Sequence, residues 1–254
     1  RAARNPDVRE WRLDELTYRM VQERHFEVAV LPIGTTEPHG LHIPYGSDAF
    51  HTTAVADRCC ESATRQGARV LLLPTIPYGV DSNLMAFPMA LHVGQPVLDA
   101  IVTDLIRSLE HHGLRKIVLL NGHGGNSFKP LLRELFGQTE AWVCLVDWWK
   151  VAKDRLGEVL VHTGDHADEF ETSVALALFG DLVHMEDADD GATRPCRFEA
   201  VNRGWVEVTR PWHLVTKNAG VGDPRQATAE KGQRILDIVV ERLARFLTEL
   251  SDAP

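Results

Sequence analysis

The chain has 254 residues, with 27 Lys+Arg against 36 Asp+Glu, a formal charge of −9 at neutral pH. Hydrophobic residues at 44% and charged residues at 25% are ordinary for a folded globular protein and exclude wholesale disorder. An acidic balance without a basic run argues against a nucleic-acid partner, and no apolar stretch reaches the ~18 residues that a membrane span needs. Residues 1–10 carry no signal-peptide core. The four cysteines, Cys59, Cys60, Cys144 and Cys196, form no Cys-x-x-Cys pair, so they read as buried thiols of a cytoplasmic protein. A chain of this length buries a core without staples. No linker, internal repeat or low-complexity tract interrupts it, so residues 1–254 read as a single domain.

Short apolar runs alternate with helical patterns along the chain. Residues 27–33 (EVAVLPI) read as a first strand ending at Gly34, and residues 48–66 as the helix that follows. Residues 69–73 (RVLLL) form a second strand, stopped by Pro74. Residues 96–112 are helical, with Val97, Ile101, Leu105 and Leu109 in one stripe. A third strand at 116–120 (KIVLL) ends at Asn121-Gly122, a helix follows at 127–136, and a fourth strand at 142–146 (WVCLV) ends at Asp147. A further helix opens near residue 168 and continues through Val174, Ala177 and Leu178. Between 187 and 223, Gly, Pro and Trp are mixed without period, a pattern that loops and a short hairpin fit. Residues 226–250 form a long amphipathic helix with Ile235, Ile238, Val239, Leu243, Phe246, Leu247 and Leu250 on one face. Short strands separated by helices predict an α/β fold with a mostly parallel sheet covered by its crossover helices.

In such sheets the site lies at the carboxyl ends of the strands, where the unusual polar residues of this chain collect. Glu37, His39 and Asp48 lie in one Gly/Pro-rich segment. Carboxylates mixed with imidazoles suit a pair of divalent ions, and a carboxylate can bridge two of them. Asp48 alone reads as a helix cap, but capping does not explain Glu37 and His39 beside it. Residues 121–126 (NGHGGN) set His123 among glycines, with Gly124 and Gly125 offering backbone N–H groups to an oxyanion. This is no phosphate loop, because the Lys-Ser/Thr of that motif is missing. The third cluster is residues 165–173 (DHADEFETS). Asp168 and Glu169 there are explained equally by a favourable first helical turn, whereas His166, flanked by Asp165, reads as a proton-transfer group whose basicity the carboxylate raises. Trp148, Trp149 and Trp212 either wall a small polar substrate or pack in the core.

These segments resemble the creatininase (creatinine amidohydrolase) family, whose pattern is Gly-x-x-Glu-x-His-Gly-x-His-x-Pro-x-x-x-Asp, then Asn-Gly-His-Gly-Gly-Asn, then His-Ala-Gly-x-x-Glu-Thr-Ser. Gly220-Val221-Gly222-Asp223-Pro224 with residues 227–232 is similar to the family's closing segment. The resemblance implies a three-layer α/β/α fold and a two-metal hydrolytic site, loaded with Zn or Mn and with Fe admissible, in a homo-oligomer that is often a hexamer. By position it makes Glu37, His39, Asp48 and His123 metal ligands, with Asp48 bridging, and His166 the proton shuttle. Creatininase itself has a ligating Glu where this chain has Gly125, so one metal needs another partner; Glu171 is the first candidate and Glu169 the second. Two departures weaken transfer of creatinine specificity, Pro38 and Leu41 in the first motif and Asp168 in place of Gly in the third. The Thr-Thr-Glu-Pro-His variant with Arg210-Pro211-Trp212 looks more similar to a branch that opens keto-inositol rings. The expectation is a metal-dependent hydrolase opening a small polar cyclic substrate, a creatinine-like amide or a keto-inositol. The alternatives are a deformylase or peptidase acting on a linear amide, or a non-catalytic metal- or ligand-binding module.

Overall fold

A computed structural model describes residues 8–254, so most of the 1–10 segment lies outside the described residues. The strands are β1 (Val28–Ile33), β2 (Val70–Leu72), β3 (Lys116–Asn121) and β4 (Trp142–Asp147), all parallel, in the order β2-β1-β3-β4. The alternation of side chains along each strand splits the apolar residues between two faces. Val28, Val30, Leu72, Val118 and Leu120 pack into one cluster, and Ala29, Leu31, Ile33, Ile117 and Leu119 into the other. Both clusters are covered. This is why the strands read as continuous apolar runs rather than as half-polar ones.

After a short α1 (Tyr18–Gln22), the helices divide by face. α2 (Ser47–Arg65), α5 (Glu169–Phe179) and α8 (Ala229–Asp252) cover the first cluster, while α3 (Gln95–His111) and α4 (Lys129–Leu135) cover the second. The result is the three-layer α/β/α arrangement. In α3 the buried stripe is Leu98, Val102, Ile106 and Leu109, with Val97 and Ile101 exposed. Two apolar stripes lie side by side on this helix, and the sheet covers only one of them. The irregular stretch also differs from expectation. It holds α6 (Glu199–Asn202) and α7 (Trp212–Val215), each about one turn, and an isolated antiparallel bridge from Thr193 to Thr216 in place of a hairpin. No helix of the described residues is long and apolar enough to cross a membrane.

The strand order creates the crevice. The chain leaves β1 toward β2 on one side and reaches β3 on the other, so the loops after β1 and β3 diverge at their carboxyl ends. α8 packs against α2 and α5 on one face of the sheet, burying Ile235, Leu236, Val239 and Leu247. Its Gly232 lies against the α5 backbone, where a Cβ would come 1.9 Å from the carbonyl oxygen of Ser173. Gly232→Ala is therefore expected to destabilise the protein by about 1–3 kcal/mol through overpacking, read as a lower midpoint in urea unfolding with an unchanged m-value.

Candidate metal centre

Glu37 and His39 sit on the loop leaving β1, and Asp48 lies in the first turn of α2. His123 follows β3, and His166 and Glu171 flank the start of α5. Asp48 stands at the middle of the group. Its Oδ1 lies 3.0 Å from His39 Nε2 and its Oδ2 3.0 Å from His123 Nδ1. Glu37 Oε1 is 3.1 Å from His123 Nδ1, and Glu171 Oε2 is 3.9 Å from His39 Nε2. The ligand-capable atoms form two triads that share Asp48, Glu37/Asp48/His123 and His39/Asp48/Glu171, each with its atoms within 4.8 Å of one another. A further triad, Glu37/His39/His166, overlaps both.

The three imidazoles are oriented by the same device. His39 Nδ1 donates to the Glu37 carbonyl at 3.1 Å, His166 Nε2 to the Pro38 carbonyl at 2.8 Å, and His123 Nε2 to the Val80 carbonyl at 3.1 Å. A carbonyl only accepts, so each outer nitrogen carries the proton and each inner nitrogen faces the carboxylates. Glu171 is held by the backbone as well. Ala167 adopts φ +50°, a left-handed conformation that costs a β-carbon residue on the order of 1 kcal/mol, and its N–H donates to Glu171 Oε2 at 2.6 Å. Asp168 caps α5 by accepting from the Glu171 N–H at 3.0 Å.

Burial sets the charges. It pushes the carboxyls of Glu37 and Glu171 each up to about 8, and that of Asp168 to about 6. Burial acts in the same direction on Asp48, but the charges of His39 and His123 outweigh it and hold that carboxyl well below the usual range. Burial opposes charging of His39 too, yet the Asp48 carboxylate lifts it to about 10. His166 is driven down to about 3 by burial and by the neighbouring His39, and it is held neutral. Its ring contacts Pro38 and Trp212 rather than Asp165, so the expected Asp165 support for its basicity is absent.

A cavity of about 660 Å³ opens over the cluster. Glu37, Asp48, His123, Gly124, Gly125, His166, Glu171, Trp149 and Trp212 line it. Trp212 meets the His166 ring edge-on at 5.0 Å. Two expectations fail here. Trp148 is a core residue stacked on Phe170 at 5.2 Å, because its place after β4 turns it under the sheet rim. Glu169 lies outside the cluster. Its buried carboxylate accepts from the N–H groups of Val161 and His162 and pairs with Lys231 at 2.6 Å, pinning α8 to the loop before α5. Helical geometry explains the difference, since Glu169 and Glu171 point about 200° apart around the axis.

The sequence reading passed over Asp81, which is fully buried beside His123 with Oδ1 3.1 Å from Nε2. The only signal for it was an acid in the polar segment after the second strand. Two further buried histidines, His42 and His51, are kept neutral by burial, and His42 Nε2 is 2.9 Å from Thr172 Oγ1. Gly125 shapes the loop behind His123. A Cβ there would lie 2.2 Å from the Val80 carbonyl and 2.3 Å from His123 Nε2, so the loop has no room for a side chain.

Comparison with known proteins identifies the family. The family model for creatininase (creatinine amidohydrolase) matches residues 14–247. The chain is 32% identical to creatinine amidohydrolase of Pseudomonas putida over 92% of this chain and 95% of that one. It is 30% identical to the mycofactocin precursor peptide peptidase of Mycobacterium tuberculosis over 87% and 86%. With the 3-dehydro-scyllo-inosose hydrolase of Thermotoga maritima the identity is 28% over 93% and 82%. A crystal structure from Bacteroides fragilis, provisionally named a creatinine amidohydrolase, superposes with a TM-score of 0.91 at 33% identity, covering 96% and 98% of the two chains. Creatininase has been solved in a manganese form and, as a mutant, in a Zn–Zn form, both at TM-score 0.78 and 29% identity, covering 96% and 95% of this chain and 99% and 98% of theirs. Motif order, strand order and near full-length similarity thus converge, and the chain belongs to the creatininase family of hydrolases.

Proposed function

We propose that this protein is a two-metal hydrolase that opens a small polar ring, with a keto-inositol as the favoured substrate and a creatinine-like amide as the second. The observation that carries the reading is Asp48, whose two oxygens face two different sets of donors. Glu37 Oε2 and Asp48 Oδ2 are also buried without hydrogen-bond partners, which fits residues that hold cations rather than one another. Glu37, Asp48 and His123 would hold one ion, and His39, Asp48 and Glu171 the other. Mixed carboxylate and imidazole donors suit Zn or Mn, and Fe is admissible. When bound, such a pair supplies a Lewis acid for a carbonyl oxygen and lowers the pKa of water from about 15.7 toward about 7.

The protein groups supply the remainder. His166 keeps its proton on Nε2 through Pro38, so its neutral Nδ1 turns toward Glu37 Oε1, 3.7 Å away, free to take a proton from the nucleophile and pass it to the leaving carbon or nitrogen. Trp212 packs on that ring and shields it from water. Trp149, Leu156, Leu160 and Phe170 give the cavity an apolar wall against which a small ring can lie. The N–H groups of Gly124 and Gly125 border the same space as candidate donors to a developing oxyanion. A linear-amide substrate is the second reading, favoured by the similarity to the peptide peptidase. A cytoplasmic homo-oligomer, hexameric by family resemblance, completes the proposal.

Asp48→Ala is expected to abolish turnover and the tight binding of both ions; two equivalents retained per chain, measured by elemental analysis after dialysis, would refute the bridging role. Glu171→Gln should weaken one equivalent and leave the other, whereas Glu169→Gln should keep both and lower the thermal midpoint by disconnecting Lys231. Metal-loaded protein assayed against keto-inositols, creatinine, other lactams, formamides and short peptides is expected to hydrolyse the keto-inositol fastest. Binding without turnover across that panel would make the domain a ligand-binding module.

A further inference from the structure

We propose that Asp81 is a positioning residue for His123, holding the proton on Nε2 so that the Nδ1 lone pair is presented to a metal ion. The inference rests on the two-ion reading above. All three cluster imidazoles give their outer N–H to a backbone carbonyl, but among the described residues only His123 also has a carboxylate at that nitrogen. Asp81 Oδ1 lies 3.1 Å from Nε2, beside the Val80 carbonyl at the same distance. Asp81 is fully buried, and its Oδ1, which accepts no hydrogen bond, stands as a charge beside the Nε2–H that the Val80 carbonyl accepts.

The carboxylate is itself held in place. Thr35 Oγ1, just past β1, donates to Asp81 Oδ2 at 2.5 Å, and the Asp81 N–H donates to His92 Nδ1 at 3.1 Å. Next door, the Val80 N–H donates to Asn126 Oδ1 at 3.0 Å. The loops after β1, β2 and β3 are thereby tied to one another around His123. Gly125 makes the approach feasible, since a side chain there would occupy the place of the Val80 carbonyl and the imidazole edge. The absence of a carboxylate at position 125 and the presence of one at Asp81 are two aspects of the same packing. A negative charge on the far side of a ligating imidazole fixes its tautomer and makes the inner nitrogen a better donor, and losing such a partner typically costs 10–100-fold in metal affinity.

The test is a Zn²⁺ titration of the full-length, metal-free protein against a chelator of known affinity, for the wild type, Asp81→Asn, Asp81→Ala and Thr35→Val. The wild type is expected to take two equivalents. In both Asp81 variants one equivalent should weaken about 10–100-fold while the other changes far less, and Thr35→Val should show a smaller loss in the same equivalent. Thermal unfolding of the metal-free variants reports folding independently of the ion. Two equivalents at wild-type affinity in both Asp81 variants would overturn the inference, leaving Val80 as sufficient support. So would equal weakening of both equivalents together with a collapsed metal-free midpoint, which is the signature of a merely structural residue. A wild type that fails to bind two ions removes the two-ion reading itself, and this inference with it.

Discussion

Three carboxylates, those of Glu37, Asp48 and Glu171, share one largely buried space, with Glu171 at its partly exposed edge, and the rest of the structure is arranged around that concentration of like charge. Moving a carboxylate out of water costs several kcal/mol, and placing a second beside it adds repulsion. The protein answers with imidazoles. His39 and His123 lie on either side of Asp48, and that carboxyl is the one held ionised, while Glu37 and Glu171 are pushed toward their neutral forms. A cluster balanced in this way exchanges its protons for cations readily, because ligand deprotonation and metal binding are one linked equilibrium.

Rigid backbone makes the arrangement durable. The acids and imidazoles follow the buried strands β1 and β3 and sit in the first turns of α2 and α5, which cannot shift without disturbing two apolar clusters. Each imidazole gives its outer N–H to a main-chain carbonyl. The left-handed turn at Ala167 is a local cost tolerated because it delivers an N–H to Glu171. The closing segment contributes at the same place, since Val221 exchanges backbone hydrogen bonds with His166 across a short antiparallel bridge.

Much of this was legible from residues alone where a local rule sufficed. Runs such as 27–33 and 116–120 identify strands buried on both faces, and the polar segments that follow them mark the rim of the sheet. Glu37, His39, Asp48 and His123 stood out because polar and ligating residue types cluster there beyond what loops or caps require. The misreadings share one cause. Val97 and Ile101 are as apolar as Leu98 and Val102, and only the sheet decides which stripe is covered. Glu169 and Glu171 are the same residue type two positions apart, and only the phase of α5 against Lys231 separates them. Trp148 and Trp149 are adjacent, and the turn after β4 sends one to the core and the other to the cavity.

The sequence by itself determined the alternation of strand and helix, the parallel sheet, and the set of acids and imidazoles available at its carboxyl edge. Periodicity and turn chemistry are local properties that a chain carries before it folds. Tertiary structure alone decided which of those groups meet. It put Asp48 between two donor sets, turned Glu171 toward the cluster and Glu169 toward Lys231, and brought Asp81 to the back of His123 from a different loop. Distances of a few ångströms between remote segments follow from the strand order and from the space each side chain leaves free, and no local pattern encodes them.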